Sequence, residues 1–219
     1  MRSAMRVTFG LAMVLGLVAT AQAQPGGGRF GGGSRLGLLR MEEVRKDIGL
    51  TDDQIASVKK LQEGLRPAGG RPQGQPSAED RQKLREQFEA RSTKEREELA
   101  KILKPEQQKR LTEIYVQQSG TAAVADPEVS KELGISDEQR AKLRTIREET
   151  MASMRGLFGG GDGDREANRA KFNDLRKAAD EKVLAVLTDD QKKKLEDLKG
   201  KKLDLPEGGG RRRGPRNNN

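Results

Sequence analysis

The chain has 219 residues and a formal charge of +9, with 35% charged residues but only 3% aromatics. So little aromatic and apolar material excludes a thick core and favours thin helical layers or an oligomer. The sequence contains no His and no Cys, which removes disulfides, imidazole and thiolate metal ligands, and the commonest catalytic base and nucleophile. An enzyme is therefore not expected, nor is a metal or cofactor.

In chain order, residues 1–23 read as a secretory signal: Arg2 and Arg6 precede an apolar stretch from Val7 to Thr20, and Ala21-Gln22-Ala23 is an A-x-A cleavage site. The apolar run is short of the ~20 residues needed to span a bilayer, so the expected location is periplasmic or secreted, not membrane-integral. Residues 24–35 form a Gly-rich segment and 206–219 a Gly/Arg/Asn-rich tail, both expected to be disordered. Losing the signal takes the charge from +9 to +7; setting aside Arg29, Arg35, Arg211, Arg212, Arg213 and Arg216 takes it to +1. The basicity thus sits in the ends. Export argues against nucleic acid as their partner; the readings left are adhesion to anionic envelope surfaces or acidic clients, and a plain soluble flexible end with no partner.

Between the ends lies one short pattern four times over. It reads Leu50-Thr51-Asp52-Asp53-Gln54, Leu103-Lys104-Pro105-Glu106-Gln107, Ile135-Ser136-Asp137-Glu138-Gln139 and Leu187-Thr188-Asp189-Asp190-Gln191. Thr or Ser with Gln three residues on is a capping box, and the acidic residues between them suit the first turn of a helix. The second copy has Lys104 in place of the hydroxyl but carries Pro105 at the first helical position. An apolar staple of Leu50 on Ile55 is expected in the first copy alone.

The first and third copies lie 85 residues apart and the second and fourth 84. Flanking residues repeat with them: Glu43-Val44 through Gly49 matches Glu128-Val129 through Gly134, and Asp80-Arg81, Arg85 and Phe88 recur at Asp164-Arg165, Arg169 and Phe172. Two tandem modules follow, 36–120 and 121–205. The first predicts helices near 36–48, 52–66, 79–102 and 105–118, with a Gly/Pro linker at 67–76. The second predicts helices near 127–133, 137–156, 165–186 and 189–200. No segment alternates like a strand, so the class is all-α.

These residues resemble the LTxxQ-motif family of periplasmic proteins that includes Spy and CpxP. The resemblance covers nearly all of 36–205, in two tandem copies where a family member carries one module. It implies a thin, curved helical cradle, with ATP-independent chaperone activity or control of an envelope stress or metal-response sensor. In that family two modules dimerise, so the halves of this chain are expected to pack as an internal pseudo-dimer, the alternative being a homodimer. The implied partners are unfolded or partly folded envelope proteins, or a sensor.

The candidate client-binding residues are Arg81, Arg85 and Phe88, their copies Arg165, Arg169 and Phe172, and an apolar end at Met154, Leu157 and Phe158. Mixed basic and apolar faces at helical spacing suit unfolded chains, which offer acidic and apolar segments. The competing reading is structural: the phenylalanines and Met151 as core, the arginines lying over them. The stretch Asp162-x-Asp164-x-Glu166 departs from a calcium loop at Ala167 and Asn173, so no metal site is assigned. No phosphate-cradling loop is present. The expected function is a holdase-type chaperone; the alternatives are a regulatory adaptor or a structural envelope protein.

Overall fold

The computed structural model describes residues 34–66, 77–158 and 165–205, and every regular element in them is helical. The signal, the Gly-rich stretch up to 33, the linker 67–76, residues 159–164 and the tail from 206 lie outside the described residues. The order is α1 (Arg35–Leu38), α2 (Glu42–Asp47), α3 (Asp52–Gly64), α4 (Ala78–Ile102), α5 (Pro105–Ser119), a 3₁₀ turn (Gly120–Ala125), α6 (Pro127–Glu132), α7 (Asp137–Phe158), α8 (Arg165–Val186) and α9 (Asp189–Asp197). Among the described residues, no helix is long and apolar enough to cross a membrane.

The helix expected at 36–48 is two helices. The chain turns between them through Arg40 and Met41, whose backbone is extended (φ −80°, ψ 130°). That break lets Leu36, Leu38 and Leu39 on one side and Val44 and Ile48 on the other all reach the same core, which one straight helix could not do. The last helix also ends early, at Asp197 and not at 200. Gly200 turns the chain at φ +55°, and a Cβ there would collide with the Glu113 carboxylate.

Two apolar clusters hold the helices together. The first comprises Leu36, Leu38, Leu39, Val44, Ile48, Val58, Leu65, Leu99, Leu103, Leu111 and Ile114. The second comprises Val116, Ala123, Val124, Val129, Leu133, Ile135, Leu187 and Leu195. Tyr115 packs against both, so the change of core falls inside α5 and not at residue 120. Leu203 and Leu205, at the far end of the expected second module, pack against the first cluster. The repeat is visible in what each cluster buries: Leu39, Val44 and Ile48 have counterparts 85 residues on in Val124, Val129 and Leu133, all buried.

Each α2-like helix ends in the same Schellman turn. Leu50 N–H donates to Arg45 C=O at 3.0 Å and Gly49 N–H to Lys46 C=O at 3.1 Å; Ile135 and Gly134 repeat this on Ser130 and Lys131. The glycines sit at φ +64° and +66°, the left-handed region where a Cβ is penalised. The turn delivers Thr51 and Ser136 to their capping positions.

Candidate functional site

The four motifs cap helices and also meet in pairs. Thr51 Oγ1 accepts from Gln54 N–H at 3.3 Å while Thr51 N–H donates to Gln54 Oε1 at 3.1 Å. Ser136 with Gln139 and Thr188 with Gln191 make the same box. At the second copy, only the return bond is available: Lys104 N–H donates to Gln107 Oε1 at 2.9 Å.

Each glutamine then uses its remaining capacity on another motif. Gln54 Nε2 donates to Gln107 Oε1 at 2.7 Å and to Ile102 C=O at 2.8 Å. Gln107 Nε2 donates back to Gln54 Oε1 at 3.1 Å and to Gly49 C=O at 2.9 Å. Gln139 and Gln191 repeat the ring, using Val186 C=O and Gly134 C=O. All donors and acceptors of four amides are thereby satisfied. Neither Glu nor Leu could fill such a site, so glutamine is required for its second donor as well as its acceptor. Of the predicted cap residues, Gln54 with Gln107 and Gln139 with Gln191 form two clasps; Thr51, Ser136 and Thr188 cap their own helices, Pro105 starts α5, Leu103, Ile135 and Leu187 are buried and Leu50 is half-buried. The cross-motif bonds were not foreseen from spacing alone, because a capping box accounts for the Gln by itself. Leu50 and Ile55 are both half-buried and share a shallow depression with Glu42, Arg45 and Lys46.

An ionic cluster at Arg35 ties the start of α1 to the start of α6. Although the Gly-rich leading segment was expected to run through 35, this residue starts α1 and is only 8% exposed. Its guanidinium donates to both Asp126 carboxylate oxygens, at 2.8 and 3.1 Å, reaches Glu128 at 2.8 Å and lies 4.7 Å over the Tyr115 ring. Asp126 also caps α6 through the N–H groups of Glu128 and Val129. Burial opposes ionisation of Asp126, but the Arg35 bonds and charge with the two backbone donors outweigh it, and its pKa is lowered.

The candidate client-binding residues separate into groups. Phe88 is 64% exposed and Leu84, one turn away, 43%. All side chains from 82 to 91 are exposed. Arg85 lies on this flank, with a loose 3.8 Å pairing to Glu148 of α7. The twin Phe172 is half-buried where α8 lies along α7, and Arg169 is exposed. The difference has a simple origin: α7 is 22 residues long and α3 only 13, so α3 does not extend along the outer half of α4 as α7 does along α8. Met154 is 6% exposed and belongs to the interior, whereas Met151 is 40% exposed, the reverse of a core Met151. The side chains of Arg81, Arg165, Leu157 and Phe158 lie outside those described.

Among the described residues, no group of three or more acidic side chains is placed to hold a metal ion; the Asp162–Asp164 stretch is outside them. No family model, curated protein or solved structure matches this chain.

Proposed function

We propose that this protein is an exported, ATP-independent holdase that binds unfolded or partly folded envelope proteins along the outer half of α4. The observation that carries the reading is Phe88: a phenylalanine 64% exposed on a helix flank with Leu84 and Arg85. Burying one such ring is worth about 2 kcal/mol of apolar transfer, so leaving it in water favours a partner that covers it. The arginine beside it adds attraction for acidic stretches in a non-native chain.

The test is light scattering of two unrelated unfolding clients with increasing amounts of the secreted protein, without nucleotide. Suppression of both at near-stoichiometric ratio is expected. Protection of neither, with helicity confirmed by circular dichroism, would refute the holdase and leave a dedicated adaptor or structural role.

A further inference from the structure

The end of the described chain does not continue as helix after α9; it runs back onto α5 and the first core cluster. Gly200 turns it at φ +55°, and residues 202–205 are neither helix nor strand. What receives this segment is the side chain of Gln117 on α5. Gln117 Nε2 donates to the carbonyls of Lys199 and Lys201, and Gln117 Oε1 accepts from Leu203 N–H at 3.0 Å. Arg110, about two turns earlier on the same face of α5, donates to Lys201 C=O at 2.8 Å while Asp47 at 2.6 Å and Glu113 at 2.8 Å fix its position.

Every one of these bonds reads the backbone of the segment and none reads its side chains. The sequence-dependent part is apolar and alternates: Leu203 and Leu205 are half-buried against the first core cluster, while Lys202 and Asp204 point to solvent. Amide and guanidinium groups that pair with main-chain N–H and C=O, beside an apolar surface for alternate side chains, are the elements of extended-peptide recognition. We infer that the Gln117–Arg110 face of α5 is a peptide-binding groove for extended Leu-x-Leu segments, occupied in this chain by its own residues 201–205, which follow the α9 end turn at Lys199 and Gly200.

The segment follows α9 directly, and its grip consists of four side-chain-to-backbone bonds and two half-buried leucines. Nothing in the groove chemistry distinguishes this segment from another chain with the same spacing. The groove is therefore closed by an internal competitor, and a ligand must displace it. This inference stands on α5 and the 199–205 segment and does not depend on the α4 flank being a client site.

Two measurements on the full chain test it. In native-state hydrogen exchange, the Leu203 amide should exchange by local opening, at least tenfold faster than Ile114 of α5, which is wholly buried. Equal protection of the two would overturn the inference, because the segment would then leave only on global unfolding. In the second, a fluorescent peptide of sequence 199–205 is titrated into the wild-type chain and into Leu203→Ser/Leu205→Ser. The substituted chain should bind at least tenfold tighter, and adding Gln117→Ala should abolish that gain. A folded double variant that binds no better than wild type would refute the groove; should the variant not fold, the exchange result decides alone.

Discussion

Gln54 and Gln107 lie 53 residues apart and exchange two amide hydrogen bonds, Nε2 to Oε1 at 2.7 Å one way and 3.1 Å the other. Gln139 and Gln191, 52 apart, do the same at 2.7 and 3.0 Å. The paired clasps turn a helix-start signal into a tertiary one. Each glutamine caps its own helix and also ties down the start or end of the helices packed beside it. A double-mutant cycle should therefore show a coupling of about 1–3 kcal/mol between Gln54→Ala and Gln107→Ala, and close to zero between Gln54→Ala and Gln191→Ala. Urea unfolding measures both; equal couplings would mean that the rings are not the stabilising unit.

The hydroxyl caps should act locally. Thr51→Ala and Thr188→Ala each remove an acceptor for one N–H at a helix start. Each should cost about 1 kcal/mol, read as a lower urea midpoint with an unchanged m-value. The loss at residue 188 is expected to match that at 51, since the two boxes are geometrically alike.

The Schellman glycines give a conformational prediction free of packing. A Cβ at Gly49 or Gly134 would meet nothing within 4 Å, yet both residues have positive φ. Gly49→Ala should then cost roughly 1 kcal/mol from backbone strain alone. Gly49→Asn, which tolerates the left-handed region better, should recover part of it. Equal losses for Ala and Asn in thermal melts would contradict this origin.

At the Arg35 cluster the sign of the pH effect follows from Asp126. Its pKa is lowered in the folded protein, so the stabilisation is fully present above the unfolded value of about 3.9 and is lost as pH falls through the lower folded value. Arg35 stays charged throughout. Acid titration of stability should show this loss below about pH 4, and Asp126→Asn should flatten that part of the profile. Arg35→Ala should cost about 3 kcal/mol at neutral pH, because it strands a buried carboxylate. An unchanged melting temperature for Arg35→Ala would show that α1 is held by its leucines alone.

Much of the helical frame was legible. The capping boxes at Thr51, Ser136 and Thr188 placed the starts of α3, α7 and α9 correctly, because a box is a local device whose partners lie within four residues. Ser77 with Asp80 is another such box, and reading it would have moved the start of α4 from 79 to 78. What stayed hidden depends on distant partners. Arg35 looks like one more tail arginine until Asp126, 91 residues away, is brought beside it. Leu203 and Leu205 lie beyond the helix expected at 189–200, and nothing local reveals that Gln117, 86 residues from Leu203, receives them. The exposure of Phe88 and half-burial of Phe172 could not be read from the shared Asp-Arg, Arg and Phe positions; the lengths of α3 and α7 decide it.

The most direct test of the functional account is Phe88→Ser assayed beside wild type for suppression of client aggregation, with melting temperatures measured on both. Because Phe88 contributes little to the core, the variant should melt within a few degrees of wild type while its suppression falls several-fold. A variant that melts normally and protects as well as wild type would contradict a client site on the α4 flank.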